Sequence, residues 1–233
     1  MKRIFLGFLV FLLPVMAGNA QVRWAAEFNL GLPVNVPMPL TISQNYQPVI
    51  SRFAVWSAEP FQKPYNWMWR IGRWKPGRAW EFQTMHHKMV LLNRPDEVQW
   101  FGITHGFNTL VLNRAREVGK GVVRYGLGAV LAHPENTVRD KVLNEKAGLL
   151  KTGYYLTGPV LMTSVARPLR IGKSFLINME ASVTAGLAQV PVADGTASLM
   201  HLAFHLHAGL GGSFAARNSD NPRRKDVKPR VEL

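Results

Sequence analysis

Residues 174–187, SFLINMEASVTAGL, separate into two interleaved registers. Phe175, Ile177, Met179, Ala181, Val183, Ala185 and Leu187 are apolar throughout, whereas Leu176, Asn178, Glu180, Ser182, Thr184 and Gly186 are mostly polar. Strict alternation marks a strand, because successive side chains leave a strand on opposite faces. The pattern recurs at 198–214 (SLMHLAFHLHAGLGGSF), 122–132 (VVRYGLGAVLA) and 22–32 (VRWAAEFNLGL). Each stretch is about as long as a tilted strand that crosses a bilayer. The polar registers hold Arg124, Glu27, Asn29, His205 and His207, which a soluble sandwich core would not accept unpaired. Oil outside and polar groups inside is the pattern of a transmembrane barrel. A soluble periplasmic lipid-binding barrel would need the apolar registers turned inward, and Glu180 and His207 argue against that.

The expected fold is therefore all-β, an antiparallel transmembrane β-barrel of eight strands. Strands are expected near 22–32, 65–74, 79–90, 98–114, 122–132, 154–169, 175–190 and 199–214. The links 75–78, 115–121 and 170–174 are short and alternate with longer ones, as periplasmic turns alternate with external loops. VISRFAVWSA, inside 33–64, reads as a strand or a structured loop, which leaves ten strands as the alternative. Residues 1–20 open with Lys2 and Arg3, run apolar from Ile4 to Met16 and end in small residues. That is the form of a secretory signal peptide, too short to span as a helix. The barrel is expected over 21–214, and 215–233 reads as a basic, disordered periplasmic tail.

The chain has no cysteine, so no disulfide staples it. Its net charge of +14 would suggest nucleic acid in a cytosolic protein, but export and the scatter of the charges through turns argue against that partner. Lipopolysaccharide phosphates are the expected partner. Trp67, Trp69, Trp74 and Trp80 crowd together as residues of a membrane interface do.

The expected topology gathers chemistry at the outer end. MHHKM (85–89), GITHGFN (102–108), LAHPEN (131–136) and TGYYLTGP (152–159) all reach it, bringing five of the seven histidines: His86, His87, His105, His133 and His201. Imidazoles beside carboxylates can hold a metal or act as general acid and base near neutral pH. No tight ligand motif such as H-E-x-x-H is present. His105 shares a register with Phe101, Ile103 and Phe107, a register that would face lipid unless Gly106 resets the phase. His87 shares a face with Glu81 and Gln83, and His86 follows Trp80 and Phe82. At the last hairpin, a turn about Asp194–Gly195 would pair Thr184 with His205 and Ser182 with His207, with Glu180 one diagonal away. These groups would fill a narrow polar lumen.

HHK, HGFN followed by LNRA, GLGAVLAHPE and YYLTGP together resemble the lipid A oxidase type of outer-membrane barrel, one of the lipid A-modifying barrels. The resemblance covers roughly residues 79–214, with YLTGP and HPE its most distinctive motifs. It implies an eight-stranded barrel in the bacterial outer membrane that acts on lipid A, by oxidation in preference to deacylation, with oxygen and a divalent metal. Taken with the rim chemistry, it gives His86, His105 and Glu135 as catalytic residues. Lys88, Asn108 and Tyr155 are the expected substrate contacts, and His86, His133 and Glu135 the expected metal ligands. The protein is expected to act as a monomer. The alternative is a non-catalytic structural or porin-like barrel.

Overall fold

A computed structural model describes residues 22–144, 146–171 and 174–215. The expected signal peptide, the tail from 216 on and Gly172 lie outside the described residues. In chain order the strands are β1 (Arg23–Asn35), β2 (Met38–Gln44), β3 (Ile50–Ala54), β4 (Trp56–Ser57) and β5 (Trp67–Lys75). There follow β6 (Arg78–His86), β7 (Met89–Leu91), β8 (Val98–Ile103), β9 (Phe107–Val118) and β10 (Gly121–Ala132). The rest are β11 (Glu135–Val138), β12 (Lys141–Val142), β13 (Tyr155–Ile171), β14 (Phe175–Val192) and β15 (Gly195–Ala215). No helix occurs among the described residues.

Eight strands close into an antiparallel ring in the order β1, β5, β6, β9, β10, β13, β14, β15, with β15 pairing back onto β1. Closure removes every edge, so each strand's backbone groups are paired without water. β2 continues the line of β1 along the outer end of β15, with Leu40 and Ile42 in the apolar lumen, and β3 pairs onto it. VISRFAVWSA is thus strand, but the ring has eight members. The short turns at Gly77 and Gly119 share one end, where the Glu117 amide donates to the Gly77 carbonyl at 2.9 Å. Asn93, Asn136 and Asp194 share the other: Asn136 reaches the Pro191 carbonyl at 3.0 Å, and Asp194 meets Lys141 at 2.7 Å.

The alternation sorts side chains as expected. Phe175, Ile177, Phe204 and Leu206 face outward, and Glu180, Ser182, His205 and His207 are buried in the lumen. The register of the last hairpin differs by two residues from the expectation. The chain turns at Ala193–Asp194, with Asp194 at positive φ, so Glu180 pairs with His207, Ser182 with His205 and Thr184 with Ala203.

Two expected strands are not continuous. The stretch 79–90 ends its barrel run at His86, and 98–114 breaks between Ile103 and Phe107. The outer pieces, β7 and β8, join β4, β11 and β12 in a separate five-stranded sheet at the outer end. The reason lies in the lumen, which is not polar throughout. Above the histidines its wall turns apolar, with Ala188, Val190 and Val192 on β14 and Ala197 and Leu199 on β15. Trp56, Met89, Leu91, Phe101 and Ile103 of the second sheet pack against that wall and fill it.

Below lies a buried ion cluster. Arg70 meets Glu27 at 3.0 Å, Glu180 at 2.7 Å and Glu81 at 3.6 Å. Arg124 meets Glu81 at 2.6 Å, Glu180 at 3.2 Å and Glu27 at 3.5 Å. Gln83 accepts two further bonds from Arg70, and Asn178 donates to Glu27. A small apolar layer around Trp74, Ala79 and Ala115 closes the turn end. Side chains fill the lumen at each of these levels.

Removing one member of a buried ion cluster strands its partners, at a cost of roughly 3–5 kcal/mol. Arg70→Met is therefore expected to lower the urea midpoint of the folded, heat-modifiable band by a corresponding amount. The double variant Arg70→Met/Glu180→Leu should recover most of the loss. Equal midpoints for the single variant and the wild type would show that the cluster is not sealed from water.

Candidate metal site at the outer rim

The site forms where two neighbouring strands leave the ring together. β9 and β10 pair as far as Phe107 opposite Ala132. Beyond that point both chains kink, and they pair again as β8 and β11, with Glu135 opposite Gly102. The kink is bridged by the His133 amide, which donates to the Gly106 carbonyl at 3.0 Å. Gly106 has φ +129°, and a Cβ there would lie 2.4–2.6 Å from the Asn108 amide. Only glycine fits such a turn without strain.

The kink brings His105, His133 and Glu135 together, with ligand atoms of all three within 4.8 Å of one another. The two imidazole centroids lie 5.0 Å apart. His105 Nδ1 is hydrogen-bonded to Glu135 Oε1, which also accepts from the Thr104 hydroxyl at 2.7 Å. The Tyr154 hydroxyl donates to the His105 carbonyl at 2.9 Å, and its ring stands edge-on to His133 at 4.9 Å. The His105 side chain is 62% exposed and that of Glu135 17%, so the group is anchored on one side and open on the other.

The other sequence-derived residues are placed differently. His86 lies on the outward face of β6 yet is buried, stacked on Trp67 at 5.6 Å and bonded through Nδ1 to Asn108 Oδ1 at 2.9 Å. It is not in the three-residue group, where His105 stands beside His133 and Glu135 instead. Asn108 accordingly holds His86. Lys88 is buried, its ammonium donating to the Gln62 carbonyl at 2.7 Å with Glu59 3.8 Å away. Desolvation lowers the Lys88 pKa, and Glu59 opposes the shift. Tyr155, half-buried, opens β13 next to Tyr154. The register of Phe101, Ile103 and Phe107 faces inward, and His105 escapes it because Gly106 breaks the strand. Thr104 and Tyr154 stand in the quoted rim motifs, but nothing in their spacing marks them as the partners of Glu135 and His105.

Two imidazoles and one carboxylate are the donor set of His₂Glu zinc hydrolases and of non-haem iron oxygenases. The residues present fit a divalent metal by that chemistry.

Trp24, Trp80, Phe175 and Phe214 stand outward near the short-turn end, with Phe28, Leu127, Leu161 and Leu206 exposed between them and the rim. A closed antiparallel ring with an apolar exterior, an aromatic girdle and its longer connections at one end is the outer-membrane architecture. The chain has the architecture of an outer-membrane β-barrel.

No protein-family model matches the barrel, and no curated protein is similar to it in sequence. Among solved structures it is similar to the outer membrane protein AlkL in DMPC lipid bilayers, at 15% identity and TM-score 0.48, covering 93% of this chain and 98% of that one. It is similar to the outer membrane protein OprG from Pseudomonas aeruginosa at 10% identity and TM-score 0.38, covering 84% and 96%. Neisserial surface protein A is similar at 7% identity and TM-score 0.38, covering 84% and 99%. The functional reading rests on this barrel's own residues.

Groups that hold a ligand's partner typically change metal affinity about 10–100-fold when removed. Thr104→Val is therefore expected to weaken divalent-cation binding at the rim by about that factor, measured by calorimetry on the folded barrel in detergent. Unchanged binding would mean that Glu135 is not a ligand.

Proposed function

We propose that this barrel modifies lipid A in the outer leaflet, by oxidation in preference to deacylation, at the His105–His133–Glu135 site. The observation that carries the reading is a two-imidazole, one-carboxylate donor set, open to solvent, at the end of the barrel where outer-leaflet headgroups lie. A bound divalent ion would supply Lewis-acid or redox chemistry to a headgroup at that place.

The chain's own groups have definable parts. Glu135 Oε1 is hydrogen-bonded to Nδ1 of His105. An imidazole so placed can ligate a cation or carry a proton to or from a sugar hydroxyl. Thr104 fixes the carboxylate, and Tyr154 fixes the backbone that carries His105. Lys146 and Lys151, exposed in the loop that ends at Tyr154, offer cations for lipid A phosphates. The motif HPE contributes His133 and Glu135 themselves, and YLTGP begins one residue after Tyr154, so the residues of the resemblance and the residues of the site largely coincide. A porin-like role draws no support from a lumen filled with side chains.

Mass spectrometry of lipid A decides the reading. Cells carrying the intact protein are expected to show lipid A heavier by one oxygen atom than cells without it. Loss of an acyl chain instead would make the site hydrolytic, which the same donor set allows. Glu135→Ala should return the profile to that of cells lacking the protein, with unchanged amounts of folded barrel in the membrane. Identical profiles with and without the intact protein would leave a non-catalytic barrel.

A further inference from the structure

The outward positions of β1, β13, β14 and β15 mix large and small side chains. In the ladder, Ala181 on β14 stands between Val165 on β13 and Leu206 on β15. Ala208 on β15 stands between Met179 on β14 and Leu30 on β1. The two alanines are diagonal neighbours on one face, and all six residues are exposed. The alanines therefore form a floor, and the larger side chains stand as ridges around it.

A loop overhangs this floor. The ladder between β1 and β5 ends at Leu30 opposite Trp67, while β1 runs on to Asn35. The Gly31 amide still donates to the Asn66 carbonyl at 3.0 Å. Pro33, two residues on, has no amide to offer the same edge, so no ladder continues there. Residues 58–66 take that place as a loop, and buried polar contacts set its shape. The Asn66 side chain donates to the Ala58 carbonyl at 3.3 Å and accepts from the Lys88 amide at 3.2 Å. The buried Lys88 ammonium donates to the Gln62 carbonyl at 2.7 Å. The loop is thus held by its own anchors, and Phe61 and Tyr65 stay exposed instead of collapsing onto the wall.

Between loop and wall lies a groove of about 870 Å³, with Pro60, Phe61 and Tyr65 on the loop side and Leu30, Met179 and Leu206 among its wall residues. Pockets that hold a small ligand have volumes of roughly 300–1,000 Å³ and are lined mainly by apolar side chains. This groove has that size and that lining. It opens on the exterior of the ring, the face that meets hydrocarbon, so its occupant comes from the bilayer.

We propose that this groove seats one acyl chain of an outer-leaflet lipid, with Ala181 and Ala208 as its floor and Phe61 and Tyr65 as its cover. Flat contact with bulk lipid needs neither a floor of small residues nor a loop held off the wall. Lys63, exposed in the same loop, offers a cation for the phosphate of the headgroup. The groove belongs to β13, β14, β15 and β1, whereas the rim group lies where β9 and β10 end, so the two sites are separate. The groove holds its lipid whether or not the rim is catalytic.

The test uses the full barrel refolded into phosphatidylcholine vesicles in which a small share of the lipid carries a diazirine on one acyl chain. After irradiation, the labelled residues are mapped by mass spectrometry. Leu112 on β9 and Leu127 on β10 face lipid away from the groove and serve as the reference. Label is expected to concentrate several-fold on the groove residues over that reference. Ala181→Phe/Ala208→Phe fills the floor with bulk that points outward, and should bring groove labelling down to the reference level while the folded gel shift is kept. Phe61→Ser/Tyr65→Ser, which removes the cover and leaves the ring strands untouched, is the second variant and should have the same effect. Equal labelling of groove and reference in the wild type would mean ordinary annular lipid only and overturn the proposal, as would concentrated label that survives both variants. An unlabelled groove in a barrel that migrates as a dimer would give the face to a second copy and overturn it too. These vesicles contain no lipid A, so failure of the rim reading leaves the result unchanged.

Discussion

Five of the eight ring strands put a charged side chain at one height in the lumen: Glu27 on β1, Arg70 on β5, Glu81 on β6, Arg124 on β10 and Glu180 on β14. A strand that slips by one residue turns its whole inward set outward. For this ring a slip would carry a guanidinium or carboxylate into lipid, which costs about 2–4 kcal/mol for Arg near the bilayer midplane and leaves its partners unpaired inside. A buried ion network adds little to stability over a well-packed apolar core of the same volume. We therefore read the cluster as the device that fixes register, with the apolar exterior supplying insertion.

Once register is fixed, the rest of the lumen follows from the inward positions in order of height. Along β14 these are Asn178, Glu180, Ser182 and Thr184, and then Ala188, Val190 and Val192. The polar members can satisfy one another, and the apolar ones cannot be left to water. Phe101, Ile103, Met89 and Leu91 cover them, and to do so β7 and β8 must depart from the cylinder. The breaks after His86 and before Phe107 are thus consequences of an apolar upper lumen. The rim site is a consequence of the breaks.

This order explains what the sequence disclosed. Alternation over Phe175–Leu187 and His201–Phe214 was enough for the barrel, its two faces and its short-turn end, because period two survives any tertiary context in which one side is lipid. It was not enough for the break in 98–114. Phe101, Ile103 and Phe107 are buried on both sides of the break, so the pattern runs through it unchanged, and only Gly106 marks the kink. The hairpin register departs from the expectation by two residues because the tight turn falls at Ala193–Asp194, and an aspartate can adopt positive φ there as a glycine would. At the site, HGFN and HPE named His105, His133 and Glu135, but the geometry that separates His86 from them needs a third dimension. His86 is one residue short of its break, still in the ladder opposite Trp67, and it stacks there. The lumenal histidines on β15 were legible as inward. The approach of His87 to His201 and His205 was not, since it depends on strands that are not sequence neighbours.

In a closed ring each side chain has two destinations, lipid or lumen, and neither suits a group that must meet water and a polar headgroup. A break in the ladder opens a third direction. His105 lies in one such break and His133 in the one beside it, and the pairing of β9 with β10 places the two side by side. Glu135, the first residue after the second kink, then falls within reach of both. His201, His205 and His207 have the same side chain but sit in unbroken ladder, and all three are buried in the lumen. The difference between an accessible imidazole and a sealed one in this chain is set by where the strands stop pairing, and that is decided by the apolar lumen that the second sheet has to cover.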